Sequence, residues 1–184
     1  MTSTTIEPVD RGTESPEVRD AIAPARASIA ALGFLPAVLG GFLIGLGALS
    51  TWITVGIPNE SAHTVFRGTD LAEGRLVLIC AVLVFGAATL GRIRGPSGSL
   101  VAIVAMASVA AAAVAASFLF HGADRGPVVA AVGIPQELWD SLGVFRNVSV
   151  GPFLALLGGL VGASTAAFSF VQIRRSASTS IEID

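Results

Sequence analysis

Charged residues are distributed unevenly along this chain, and the gaps between them are long and apolar. Four stretches without Asp, Glu, Lys or Arg enclose 33, 16, 29 and 27 residues, in chain order. A helix that crosses the hydrocarbon layer of a membrane needs about 20 mostly apolar residues. The pattern therefore predicts four membrane-spanning helices, at Ala31–Ile53, Leu71–Gly91, Leu100–Phe120 and Val150–Ile173.

Small residues recur at four-residue spacing in every predicted span, which favours close approach of helix backbones. They are Gly41 and Gly45, Ala87 and Gly91, Ala107, Ala111 and Ala115, and Gly158 and Gly162. We expect an all-α membrane protein in which residues 28–173 form one four-helix bundle. The segments 1–27 and 174–184 are polar and are expected to be disordered tails. The 26-residue leader before the first span is too long and too acidic for a signal peptide, so we expect that span to be retained.

Arginine placement predicts the orientation of the spans, because positive charge in short loops stays on the cytoplasmic side. Six arginines flank one side of the predicted bundle, namely Arg19, Arg26, Arg92, Arg94, Arg174 and Arg175. Four lie on the other side, namely Arg67, Arg75, Arg125 and Arg146. We expect a multi-pass protein of the plasma (inner) membrane with both termini cytoplasmic and the two longer loops outside.

Composition limits the chemistry that the chain can perform. Hydrophobic residues make up 53% of the sequence and charged residues 13%, with a formal net charge of −2, and no basic cluster indicates a nucleic-acid partner. No ionisable side chain lies in the middle of a predicted span, whereas transporters and pumps usually keep one there. The single Cys80 is expected to be a small apolar core residue. We identify no catalytic group, no metal-ligand spacing and no cofactor motif, and we expect the protein not to be an enzyme.

One hexapeptide occurs almost twice, as VGIPNE at Val55–Glu60 and VGIPQE at Val132–Glu137. A Val-Phe-Arg triplet follows each copy, at Val65–Arg67 and Val144–Arg146. Both copies follow an odd-numbered span, so we interpret them as two duplicated hairpins related by an axis along the membrane normal. The flanking β-branched residues favour a small β-like cap over the outer end. The segment 135–145 would alternatively form a short interfacial helix, and the sequence does not separate the two.

The outer loops hold the candidate interaction residues. Trp52 and Trp139 lie beside the two hexapeptides and are expected in an aromatic belt at the membrane surface. Each loop also carries an acid and an arginine, Glu60 with Arg67 and Glu137 with Arg146. The simpler interpretation is that these are solvated charges or headgroup contacts. The alternative is that they form ion pairs that hold the loops and create a docking surface for a partner.

Residues 30–172 resemble small actinobacterial four-span membrane proteins, including the tryptophan-biosynthesis-associated type. The resemblance depends on a tryptophan at the outer end of span one, here Trp52, and on a G-x-D-L-x-x-G sequence, here Gly68–Gly74. The family has no established activity, so the resemblance implies an architecture and an origin but no reaction.

Two functional hypotheses follow. The first is a structural or accessory subunit, embedded in the lipid bilayer, that binds a partner membrane protein or a second copy of itself through its outer loops or helix faces. The second is a small oligomeric transporter or channel for an apolar or weakly polar solute.

Overall fold

The computed structural model describes residues 34–58, 63–95, 97–121 and 135–181. The long helices in this part of the chain are α1 (Leu35–Leu49), α2 (Ala72–Arg94), α3 (Gly98–His121) and α4 (Val150–Ile181). The strands are β1 (Thr51–Gly56), β2 (His63–Arg67) and β3 (Phe145–Val148). Short helical turns cover Gly68–Asp70, Gln136–Leu138 and Trp139–Leu142.

The four long helices form a closed ring in which each packs against its neighbours in sequence and α1 packs against α4. A tight turn at Gly95, whose φ is 92°, makes α2 and α3 antiparallel neighbours. Among the described residues, the helices α2, α3 and α4 are long and apolar enough to cross a membrane. The structure thus confirms a mostly helical, membrane-like fold, and α2 and α3 begin and end within three residues of the second and third predicted segments.

The first predicted span is wrong at its C-terminal end. We expected a helix to Ile53, but α1 ends at Leu49, and the backbone becomes extended at Ser50, where ψ is 169°. The next residues are rich in β-branched side chains, which favour a strand over a helix, and they form β1. The 15 residues of α1 rise about 22 Å, less than the roughly 30 Å of a hydrocarbon core. Residues 31–33 of that predicted span lie outside the described residues.

The last helix is longer than predicted. It continues eight residues past Ile173, to Ile181, and includes most of the segment that we assigned to a disordered C-terminal tail. No glycine or proline interrupts residues 163–181. Adding a residue to an existing helix requires no new nucleation, so nothing local stops α4 at the end of its apolar part. The predicted N-terminal tail, residues 1–27, lies outside the described residues.

Glycines bring the helix backbones into direct contact, as the small-residue spacing predicts. A Cβ added to Gly158 of α4 would lie 2.6 Å from the carbonyl oxygen of Gly40 in α1. A Cβ on Gly41 would lie 2.9 Å from the backbone nitrogen of Phe85 in α2. Real Cβ atoms are essentially never this close to another atom, so these positions accept only hydrogen. The absence of side chains here allows α1 to pack tightly against both of its neighbours.

A three-stranded antiparallel sheet covers one end of the bundle, which we call the capped end. The strand order is β2-β1-β3, so β1 is central. Ile53, Val55 and Phe66 are buried between the sheet and the helices. The predicted β-like cap is therefore present. The alternative, a short helix over 135–145, is met only in part, because the helical turns end at Leu142 and Phe145 belongs to β3.

The two Val-Phe-Arg triplets lie on either side of the same strand, in different registers. Phe66 pairs with Ile53 and is buried, whereas Phe145 pairs with Gly56 and is exposed. Corresponding residues of the two triplets therefore occupy non-equivalent positions in the same sheet. The duplication of the hairpins stays a prediction from the sequence, since residues 132–134 of the second hexapeptide lie outside the described residues.

Candidate functional site

Trp52 is fully buried at the capped end, so our prediction that it belongs to an aromatic belt is wrong. The pairing of β1 with β2 changes register between Thr51 and Ile53, which makes Trp52 the extra residue of a β-bulge. A bulge redirects the side chain of its extra residue and bends the strand. With Ile53 also pointing into the core, the bulge places two successive side chains of β1 on the buried side of the sheet.

The indole of Trp52 is held by contacts with two helices. Its Nε1–H donates a hydrogen bond of 2.8 Å to the carbonyl oxygen of Gly47 in the last turn of α1. Its ring meets Phe118 of α3 edge to face, with 4.7 Å between the ring centroids. The carbonyls of a last helical turn lack the usual partner within the helix, and this one accepts from both the indole N–H and, at 3.3 Å, the Ser50 N–H.

Two glycines enclose the same indole, and we call Trp52 with Gly68 and Gly151 the tryptophan clasp. A Cβ on Gly68 would lie 2.6 Å from Nε1 of Trp52. A Cβ on Gly151 would lie 2.5 Å from Cδ1 of Trp52 and 2.7 Å from the carbonyl oxygen of Thr51. Because Gly68 precedes α2 and Gly151 lies in the first turn of α4, the clasp brings together the ends of all four long helices.

The G-x-D-L-x-x-G sequence has a structural explanation beside this clasp. Asp70 Oδ2 accepts a hydrogen bond of 2.8 Å from the backbone N–H of Arg67 and so closes the short turn between β2 and α2. Leu71 is buried, and Gly74 packs directly on the carbonyl group of Gly68. The motif therefore determines how the chain leaves the sheet and enters α2.

Trp139 is also buried, and its assignment to an aromatic belt is likewise wrong. The guanidinium carbon of Arg146 lies 5.5 Å from the centre of its ring, within the range of a cation–π contact. Arg146 pairs with Val55 in the sheet, so its side chain points to the same side of the sheet as the core residue Val55. This contact fastens the short helical segment 136–142 beneath β3.

The structure describes only three of the four residues in the predicted acid–arginine pairs. Glu60 lies outside the described residues. Arg67 is exposed at the end of β2, and among the described residues no carboxylate forms an ion pair with its side chain. Glu137 is exposed in the turn Gln136–Leu138. The structure thus brings Arg146 to Trp139, and the hypothesis of two loop-holding ion pairs stays untested.

The sheet presents a partly apolar surface away from the bundle. This exposed sheet face consists of Thr54, His63, Val65, Phe145 and Asn147, which the strand pairing places on one side of the sheet. The rings of His63 and Phe145 meet over Gly56, with 5.6 Å between their centroids. Val65 remains 51% exposed beside them. Sequence reasoning missed this surface because it depends on which strands pair.

The interior of the bundle is filled by side chains and backbone. Ser108 of α3 is fully buried, and a Cβ on Gly159 of α4 would lie 2.7 Å from its carbonyl oxygen. The hydroxyl of Ser108 faces the α-carbon of Gly162 and has no hydrogen-bond partner among the described residues. Within that same part of the chain, no group of three or more His, Cys, Asp or Glu residues is placed to hold a metal ion.

Comparison of the chain with protein-family models, with curated proteins and with solved structures finds no match.

Proposed function

We propose that this chain is an integral protein of the plasma membrane that acts as a structural or accessory subunit, without enzymatic activity of its own. The observation that carries the proposal is the exposed sheet face, a partly apolar surface held rigidly over the end of a tightly packed bundle. Its partner would be the extracytoplasmic segment of another membrane protein.

The sides of the bundle support a membrane location. Many large apolar residues on the outside of the ring are exposed, including Val82, Ile93, Met106 and Phe168. Such residues are stable against lipid chains and unfavourable against water. Arg92 and Arg94 lie at the end of α2 remote from the sheet, which supports a cytoplasmic location for that end and for both termini.

The packing of the ring supports a subunit over a transporter within one copy of the chain. Backbone contacts at Gly40 and Gly158 join α1 to α4, and the contact between Ser108 and Gly159 joins α3 to α4. Solute passage along the bundle axis would require separating these contacts. The alternative, transport by an oligomer, would place the pathway between copies.

The edges of the sheet support a docking role. Among the described residues β2 and β3 are the two edge strands, each paired on one side only. Edge strands present unpaired backbone groups, to which an extended segment of another protein can add. The apolar side chains of Val65 and Phe145 lie beside these edges and would contact such a segment.

Partner binding is tested with Val65→Asn, and Ile93→Asn is the matched control because Ile93 is exposed and apolar at the opposite end of the bundle. Each full-length variant is expressed in the native host and purified in mild detergent. We expect a stoichiometric partner with the wild type and with Ile93→Asn, and its loss with Val65→Asn. Purification of a lone homo-oligomer that conducts solute into liposomes would refute the proposal and favour the transporter.

The orientation is tested separately by cysteine labelling in a Cys80→Ser background. A membrane-impermeant thiol reagent is expected to label Thr64→Cys in intact cells. It should label Ser97→Cys only after the membrane is permeabilised. The reverse pattern would refute the proposed topology.

We also propose that the chain shares its origin with the tryptophan-biosynthesis-associated membrane proteins that its sequence resembles. The roles of Trp52, Gly68 and Asp70 in the clasp and its neighbouring turn support this, because they give a structural reason for the shared residues. An alignment of relatives in which these three residues vary independently would count against it.

A further inference from the structure

A groove of about 460 Å³ follows the lipid-facing seam between α3 and α4 at the end remote from the sheet. Its wall is made largely of alanine, glycine and valine, so the groove exists because the side chains on both helices are short. Its lining residues include Gly98, Ala102, Met106, Ala163, Ala167 and Phe170. This volume falls within the range of small-ligand sites, and the surface is almost entirely apolar.

A positive charge lies at one end of this groove. The guanidinium carbon of Arg174 lies 4.9 Å from the centre of the Phe170 ring, and Phe170 lines the groove. Arg174 is exposed, so its charge faces the surroundings of the bundle. Gly98, the first residue of α3, lines the same end, and the positive end of that helix dipole adds to the field of the arginine.

We propose that this groove binds one anionic phospholipid, with an acyl chain along the alanine-rich seam and the phosphate beside Arg174. The proposal rests on the membrane location proposed above. The apolar groove matches the acyl chain of such a lipid, and the arginine at its end matches the negative headgroup. A zwitterionic lipid with the same chains fills the groove equally well but carries no net charge for Arg174 to attract.

The larger groove on the other side of the bundle lacks this combination. It measures about 560 Å³, lies between α1 and α2, and is lined by Leu35, Pro36, Val38, Leu39, Phe42 and Phe85. These side chains are bulkier, and among the described residues no arginine stacks on an aromatic ring of this lining. It therefore has the shape for a lipid chain but not the arginine–aromatic contact found at the end of the alanine-rich groove.

The test measures binding of phosphatidylglycerol and of phosphatidylcholine with identical chains to the purified full-length protein in detergent. Native mass spectrometry counts the bound lipids. One arginine near a membrane surface contributes about 1 kcal/mol, so we expect the wild type to prefer phosphatidylglycerol about fivefold. Arg174→Gln should remove that preference, whereas Arg92→Gln, at the same end of the bundle on α2, should keep it.

A second pair of variants tests the groove itself. Ala102→Leu fills the groove at an exposed lining position and should weaken binding of both lipids. Ala110→Leu places the same side chain at an exposed position of α3 that is not among the lining residues, and it should leave binding unchanged. Equal binding of the two lipids by the wild type, or a preference that survives Arg174→Gln, would overturn the proposal.

The two proposals fail separately. Alkaline carbonate extraction reports whether the protein is integral to the membrane, and the Val65→Asn experiment reports on the partner. If the protein resists extraction and binds its partner yet shows no headgroup preference, only the lipid site is refuted. If carbonate releases the protein, the membrane location fails and the lipid site fails with it.

Discussion

Replacing Gly151 with alanine tests whether the tryptophan clasp joins the four helices as closely as the structure indicates. The new methyl group would lie 2.5 Å from Cδ1 of Trp52, 2.7 Å from the carbonyl oxygen of Thr51 and 2.9 Å from that of Gly47. Two of these three atoms belong to backbone, which cannot move aside as a flexible side chain can. The first turn of α4 would therefore have to withdraw from α1 and β1.

The magnitude follows from the contacts that such a withdrawal strains. Overpacking a tight interior costs about 1–3 kcal/mol. The hydrogen bond of 2.9 Å from the Ser149 N–H to the Trp52 carbonyl oxygen joins β1 to the residue just before α4, and its loss would add about 1 kcal/mol. We expect a loss of about 2–4 kcal/mol, which is roughly a 30-fold to 1,000-fold change in the folding equilibrium.

Gly86→Ala is the matched control, because a Cβ on Gly86 of α2 would meet no atom of the described residues within 4 Å. Alanine forms helices better than glycine, so this variant should be as stable as the wild type or slightly more stable. Reversible unfolding in mixed detergent, followed by tryptophan fluorescence, measures both variants. The reasoning is refuted if Gly151→Ala stays within about 0.5 kcal/mol of the wild type, or if Gly86→Ala loses as much stability.

Three further predictions concern the same structure. In a Trp139→Phe variant all tryptophan emission comes from Trp52, and we expect it to be blue-shifted and protected from acrylamide; red-shifted, readily quenched emission would place Trp52 at the surface. Ser108→Ala should be neutral or stabilising by up to about 1 kcal/mol, because it removes a buried hydroxyl without a partner among the described residues; a clear loss of stability in the detergent assay would show that the hydroxyl has a partner. Asp70→Ala should cost about 1 kcal/mol by removing the acceptor for the Arg67 N–H, and an unchanged unfolding midpoint would show that this turn contributes nothing.

The positions of the helices could be predicted from the sequence to the extent that they depend on local apolar composition. The second and third spans agree with α2 and α3 because charged or turn-forming residues bound them on both sides. The first span was wrong at Ile53, since apolar composition alone does not distinguish a helix from a β-branched strand that follows it directly. The end of α4 was also wrong, because a polar sequence can continue a helix that its apolar part has already nucleated.

The candidate site depended on pairing that no local pattern encodes. Trp52 was expected at the membrane surface because tryptophan near a span end is common there, and a single bulge in β1 turned it into the core. The burial of Trp139 under Arg146 depends on β3 joining the sheet beside β1. The positions of Gly68 and Gly151 in the sequence, each near the start of a helix, were one sign that these glycines pack closely against another group. That signal did not say which side chain they would contact.

The amino-acid sequence by itself determined that this protein has apolar helices, that small residues line their contacts and that charge lies at their ends. These properties are set by composition and spacing along the chain. The tertiary structure alone decided that strands from both loops form one sheet, that Trp52 points inward and that one face of the sheet is exposed. Those outcomes depend on strand register, and a shift of one residue in register moves a side chain from the core to the surface.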